Sequence, residues 1–357
     1  MSDGGGVTAA PKTTWSPARL ATALVVGLAA AWILVLADRE WTVATAKSSA
    51  IADPGEFLVT LVDGMTFAGL LFVVAAGFTL VFGLMRTVNM AHGALFLLSA
   101  YIAVQVQQAM VGLERGIEPE DVGLADWFVP VFVGALIAAV IGVAVQQLFL
   151  RWNQGQELRQ AIITVAIGII VADQILAQFG GLAQGMEWPG ATVHFFELLG
   201  QRYAVSRLFM AATAAAIGIA LWLGLNKTRI GLIIKAGVDD REMVRALGIN
   251  IGLVFALTFF VGAFLAGLGG AIGATFADVN PASEGQWLLN SLVVVIIGGL
   301  GSIRGAVVGS LLYGLTLNLA PAYLPVNYTF YSIILTFVVL AIVLAVRPSG
   351  LFGRPEV

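Results

Sequence analysis

The chain alternates long apolar runs with short polar breaks, and the runs carry no strict apolar–polar alternation. A helix needs about 20 residues to cross a bilayer. Lipid offers no partner for a free backbone amide, so runs of this length predict transmembrane helices. A β-barrel would instead alternate over segments of roughly 10 residues. Ten spans are predicted, near 19–37, 57–84, 89–111, 128–150, 160–180, 204–225, 252–277, 287–300, 303–320 and 328–346. The eighth and ninth are the weakest, because both are short and Gly298, Gly299, Gly301 and Gly305 crowd their junction.

The expected fold is therefore an all-α polytopic membrane protein. A polar, Gly/Pro/Thr-rich tail over 1–17 is expected to be disordered. One transmembrane domain follows over 18–346, then a short tail over 347–357. Leu20–Ala37 is longer than the apolar core of a signal peptide, about 7–15 residues, and reads as an uncleaved first span.

Charge sets the sidedness. With the N-terminus inside, the cytoplasmic side holds 13 of the 18 Lys and Arg residues: Lys12, Arg19, Arg86, Arg151, Arg159, five in 227–250, Arg304, Arg347 and Arg354. Arg39, Lys47, Arg115, Arg202 and Arg207 fall outside. The excess fits the positive-inside rule and places both termini in the cytoplasm. The acidic loop 112–127 then lies outside, as a solvated surface. The net charge of -3 says little, since charge in a membrane protein is read by side.

Composition narrows the chemistry. The chain is 59% hydrophobic and 11% charged, against roughly half and a quarter for a soluble domain. With no cysteine there is no disulfide framework, thiol nucleophile or thiolate metal site. Two histidines, His92 and His194, leave little scope for a metal centre. No Walker A pattern or hydrophilic domain is present, so any ATP must be bound by another chain.

Lys227–Asn250 is the largest predicted cytoplasmic element, with five basic and three acidic residues between apolar runs. After a break at Gly237, Val238–Leu247 fits a short helix. Asp239 and Asp240 open it and Arg245 stands near its end, an order that suits the helix dipole. Gly248 reads as its stop. Val238, Met243, Val244 and Leu247 offer apolar surface. The residues alone fit a helix docking on a partner or one lying on lipid headgroups.

Polar groups inside spans are costly and usually face protein or a water-filled path. Asn89 and His92 lie at the sharp turn 86–93, predicted near the cytoplasmic face. There they serve either as a cap and an interhelical bond or as parts of a gate. Asp173 stands out as a carboxylate well within an apolar run, with Gln174 beside it. It either lines a substrate path or sits wetted near the external surface. Asn290, Asn318, Gln146 and Gln147 suit interhelical hydrogen bonds. Gly262–Ala271 spaces small residues for close helix packing. The Gly83–Gly93 and Gly299–Gly305 junctions form a pair of short interrupted segments, a pattern that marks binding regions in some transporters. An intramembrane enzyme lacks support, since one deep carboxylate and one His in different spans make no catalytic set.

Gly77–Tyr101, the run Val-Ile-Ile-Gly-Gly-Leu-Gly-Ser-Ile-Arg-Gly within Asn290–Gly305, Thr228–Asn250 and the ending Arg347–Gly353 together resemble one family. They are similar to LivH-like permease subunits of branched-chain amino-acid (LIV-type) ABC importers, from about Phe57 to Gly353. The resemblance implies the ABC-importer permease fold in the bacterial inner membrane. It implies partners as well: a second, LivM-like permease, two ABC ATPases and a periplasmic binding protein, but no nucleic acid. No cofactor would be bound by this chain, with ATP and Mg used by the ATPases. The implied coupling residues are Arg229, Gly231, Asp239, Asp240, Arg241, Arg245 and Gly248; the pathway candidates are Asn89, His92, Asp173, Gln174 and Asn290. A polar amide pair is usual in the family near 173, so Asp173 is a departure. The expected cargo is a branched-chain or related amino acid, with urea or a short amide as an alternative within the class. A stand-alone secondary transporter is the remaining alternative.

Overall fold

The computed structural model describes residues 54–85, 89–112, 122–324 and 326–353. The predicted N-terminal tail and first span lie outside the described residues, as do Arg86, most of the acidic loop and the last four residues.

Each predicted span from 57 onward coincides with a helix. In chain order these are α1 (Pro54–Met85), α2 (His92–Val111), α3 (Leu124–Val145), α4 (Glu157–Phe179), α5 (Val205–Lys227), α8 (Ile251–Phe276), α9 (Ser283–Gly298), α10 (Ile303–Tyr323) and α11 (Ser332–Val346). Between α5 and α8 lie two shorter helices, α6 (Arg229–Asp239) and α7 (Arg241–Ala246). Eight helices among the described residues are long and apolar enough to cross a membrane. α9, at 16 residues, falls short of that length. A π-helical turn, Gln146–Leu150, continues α3.

The hairpin of β1 (Phe195–Leu198) and β2 (Gln201–Ala204) was not expected. Its signal is the tight turn at Leu199 and Gly200, both with positive φ, between Phe195-Phe and Arg202-Tyr. The hairpin is too short and polar to register as a span.

α1 and α8 form the centre. The most apolar window of α1 is 72% buried, whereas those of α4 and α11 are 17% buried and face outward. α8 packs on α1, α2 and α3, and small residues let the backbones meet. A Cβ on Gly262 would press on Val81 and the Gly77 carbonyl, and one on Gly267 would press on Ala135. One on Gly270 would overlap the Phe96 carbonyl. The small residues of 262–271 therefore serve packing within the chain. Lipid gives no hydrophobic drive between helices, so such contact must supply dispersion energy through closeness.

At the Arg-bearing end, the C-terminal segment folds back on α9. Leu351 N donates to Ile297 O (2.9 Å), Phe352 N to Gly298 O (2.8 Å), and Arg347 Nη1 to Leu351 O (3.0 Å). Positive φ at Gly299, Gly301 and Gly350 permits these turns. The start of the glycine-crowded junction at 298–305 is thus pinned by residues 351–352.

Replacing Gly270 with Val should lower thermal stability in detergent, at the upper end of roughly 1–3 kcal/mol. Gly224→Ala in α5, where nothing lies within 4 Å of the added Cβ, should be neutral or slightly stabilising.

Candidate functional site

Three groups of polar residues interrupt the helical bundle. The first lies deep inside it. His92 opens α2 and its Nε2 lies 3.0 Å from Val74 O. A carbonyl only accepts, so the proton is on Nε2 and Nδ1 is left with a bare lone pair. Nδ1 is buried and has no partner among the described residues. The ring stands edge-on to Phe78, with centroids 5.2 Å apart. At 1.5 Å per residue, Val74 is about 16 Å from the Met85 end of α1. α2 therefore begins near mid-depth rather than at the membrane face as expected.

Asn89 organises this start. Its Oδ1 accepts from Ala91 N (3.2 Å) and its carbonyl from His92 N (3.2 Å). Met90 N donates to Thr164 Oγ1 of α4 (3.1 Å). Asn89 Nδ2 is buried and unpartnered among the described residues, as are Gln146 Oε1 and Gln160 Oε1. Such orphans are rare in folded proteins and ask for a partner.

α9 begins in the same way. Asn280 Oδ1 accepts from Ala282 N (2.9 Å) and its carbonyl from Ser283 N (2.9 Å). The two starts lie together: Gly93 packs on Glu284, and Phe96 stacks on Trp287 with centroids 4.7 Å apart. Second residue meets second and fifth meets fifth. The start of α2 is therefore paired with 280–283, while Gly83 and Gly301 of the two glycine-flanked junctions also lie against each other. Asn280 precedes Pro281, and that Asn-Pro pair was the available sequence signal.

The second group is 227–250. Thr228 Oγ1 caps α6 by accepting from Gly231 N (3.0 Å), and buried Gly231 lies against Gly224 and Leu225 of α5. Ile234 is buried with Leu221 and Leu225 of α5, Leu80 of α1 and Leu265 of α8. The expected break at Gly237 does not occur. α6 runs through it to Asp239, because Gly237 is buried in the packed face and helical geometry costs it only about 1 kcal/mol. The break falls at Asp240, whose extended backbone and carboxylate cap α7 by accepting from Met243 N (2.9 Å). Asp239 ends α6 and Arg241 opens α7. Val244 is buried against Val254 and Phe255 of α8. Met243, Arg245 and Leu247 are exposed, and Gly248, with φ 79°, ends the helix. Arg229 is exposed at the start of α6. Gly83 of α1 lies against Val238 of α6 and, separately, against Gly301.

The third group stands at the opposite end. Asp63 of α1 pairs with Arg207 of α5 and accepts from Tyr203 Oη of β2 (3.0 Å). Asp173 is thus not the sole carboxylate within an apolar run, because Asp63 lies within the 57–84 span. Burial first, then the neighbouring Asp63 charge and hydrogen bond, push the Tyr203 phenol from 10.0 up to about 12.

The remaining candidates do not join these groups. Asp173 and Gln174 are exposed on α4. They extend a stripe of exposed apolar residues that includes Ile162, Val165, Ile169 and Ile170. Asn290 Oδ1 accepts from Tyr313 Oη (2.9 Å), tying α9 to α10. Asn318 bonds Gly314 O of its own helix (2.9 Å) rather than a neighbour. Among the described residues, no group of three or more His, Asp or Glu could hold a metal ion.

Residues 60–344 match the family described as the branched-chain amino acid transport system permease component. The high-affinity branched-chain amino acid transport system permease protein LivH of Escherichia coli K12 is 29% identical over 319 residues, covering 84% of this chain and 97% of that protein. BraD of Pseudomonas aeruginosa, described in the same words, is 28% identical over 316 residues, with coverage of 84% and 97%. A probable branched-chain amino acid transport permease protein, LivH of Methanocaldococcus jannaschii, is 25% identical over 309 residues, covering 85% and 94%.

The raised Tyr203 pKa has a stability consequence. The folded state holds the phenol's proton more tightly than the unfolded chain, so the contribution is complete below pH 10.0 and is lost as pH rises through about 12. Thermal unfolding midpoints over that window should fall less steeply in Tyr203→Phe than in the native protein.

Proposed function

The chain belongs to the family of branched-chain amino acid transport permeases, and from that premise we propose that it forms half of the translocation pathway of an ATP-driven importer. It is a multi-pass inner-membrane transport subunit and not an enzyme. The cargo is a branched-chain or related amino acid; urea or a short amide is the alternative within the same class.

The observation that carries the reading is the construction of 227–250. α7 is anchored on one side and open on the other. Val244 fixes it to α8, while Met243, Arg245 and Leu247 remain exposed. α6 reaches α1 through Val238 and α5 through Ile234. A push on α7 therefore bears on the two central helices. This suits an element that docks on an ATPase and passes its motion to the membrane domain. ATP and Mg²⁺ belong to those ATPase chains, of which the complex needs two. An interfacial helix on lipid headgroups would have no reason to be tied to α1 and α8 together.

The exposed stripe on α4 supports a second permease. A carboxylate such as Asp173 facing lipid is costly. Against a partner helix or a water-lined seam it is not. A periplasmic binding protein would deliver the cargo at the end that carries Asp63 and the hairpin.

Two substitutions separate docking from folding. Leu247→Asp should leave the permease in the membrane at normal yield, yet release the ATPase subunits on purification and abolish uptake. Val244→Asp buries a charge against Val254 and Phe255 and should reduce the yield of folded permease itself. Normal ATP-dependent uptake by Leu247→Asp would refute the docking role of α7.

A further inference from the structure

Glu284 was not among the residues that the sequence singled out; it falls in the break between the spans expected near 252–277 and 287–300. The fold carries it into the bundle. Gly168 is the middle residue of α4, about 16 Å from either end. A Cβ on Gly168 would stand 2.5 Å from Glu284 Oε1 and 4.0 Å from Met90 O. On the other side, a Cβ on Gly93 would stand 2.6 Å from the Glu284 carbonyl and 3.1 Å from its Cγ. Glu284 is thus held between two glycines at mid-depth, half-buried, with its carboxylate toward Gly168, where the starts of α2 and α9 meet. Trp287, one turn along, stacks on Phe96 and fixes the register of α9 on α2.

Among the described residues, no side chain donates a hydrogen bond to Glu284 or forms an ion pair with it. An ionised carboxylate at such a depth is costly unless a cation or donors meet it. The groups gathered at this point are oxygens: Oε1 of Glu284 and the carbonyl of Met90. Oxygen acceptors without a donor suit a compact cation with several N–H groups, which an ammonium supplies.

We propose that Glu284, with the Met90 carbonyl, receives the ammonium group of the transported amino acid at the middle of the bilayer. This rests on the amino-acid permease reading above. The arrangement favours cargo with a free amino group over urea or short amides, which carry no ammonium to neutralise the carboxylate. Gly93 and Gly168 belong to the same device, because any side chain at either position would displace Glu284.

The test is uptake by the complete transporter in cells, with radiolabelled L-leucine, L-valine and acetamide as probes and the amount of assembled complex measured alongside. Glu284→Gln should raise the KM for the two amino acids by about tenfold or more, the scale of a lost hydrogen bond to a charged group. Glu284→Asp should restore part of the loss, and Gly168→Leu should mimic Glu284→Gln. Native uptake kinetics in Glu284→Gln would overturn the proposal. So would equal losses in Glu284→Gln and Glu284→Asp that merely follow a loss of assembled complex. If the native transporter moves acetamide and no amino acid, the amino-acid reading itself fails and the ammonium site falls with it. If it moves amino acids and Glu284→Gln moves them equally well, only the ammonium site falls.

Discussion

A backbone amide inside a bilayer has no water to bond, so a helix that starts there must find partners for its first turn within the protein. α2 and α9 both start there, and much of the structure can be understood as the means of meeting that demand. Asn89 and Asn280 supply the same pair of acceptors, one side-chain oxygen and one carbonyl, to the amides two and three residues on. Thr164 of α4 takes the Met90 amide, and His92 reaches across to the Val74 carbonyl of α1. The glycines of α8 then bring the remaining backbones close enough to hold the two starts in place. A continuous helix through 86–92 or 280–283 would need none of these groups.

The same constraint links the two ends of the molecule. α1 runs the full depth: Asp63 is paired at one end, Val74 holds His92 at the middle, and Gly83 meets Val238 and Gly301 at the other. α8 runs beside it, from the pocket that holds Val244 to the packing around Phe96. A movement of α6 and α7 therefore has a short mechanical route to the middle of the bilayer. Buried packing is stiff, so displacement of these helices is transmitted rather than absorbed.

The helices were legible because hydropathy and the need for internal hydrogen bonds leave few alternatives, and the ends of most spans fall within a few residues of their expected positions. α7 was legible too, but its start was expected at Val238 and falls at Arg241, with Val238 and Asp239 belonging to α6. A glycine was read as the break, whereas burial kept Gly237 helical and an aspartate side chain, able to bond the chain ahead, stopped α6. The depth at which α2 starts was not legible, because a short polar break looks alike at the surface and at mid-depth. Glu284 was hidden for a related reason: six residues of descending chain between α8 and α9 carry it inward, and no local pattern reports such a descent. Asp63, like Asp173, stands within an apolar run of the sequence. Structure distinguishes the two, since Asp63 has a cation and a phenol, whereas Asp173 lies on the outer face of α4.

If the meeting point of α2, α4 and α9 is part of a water-lined route, a group placed there must react with an aqueous reagent. The natural chain has no cysteine, so one introduced at a time needs no altered background. In the assembled transporter, Glu284→Cys should be labelled by a membrane-impermeant thiol reagent, at a rate that changes when ATP is added. Ala76→Cys, in the fully buried part of α1, should stay inert in both conditions. A Glu284→Cys as inert as Ala76→Cys, with and without ATP, would contradict the account.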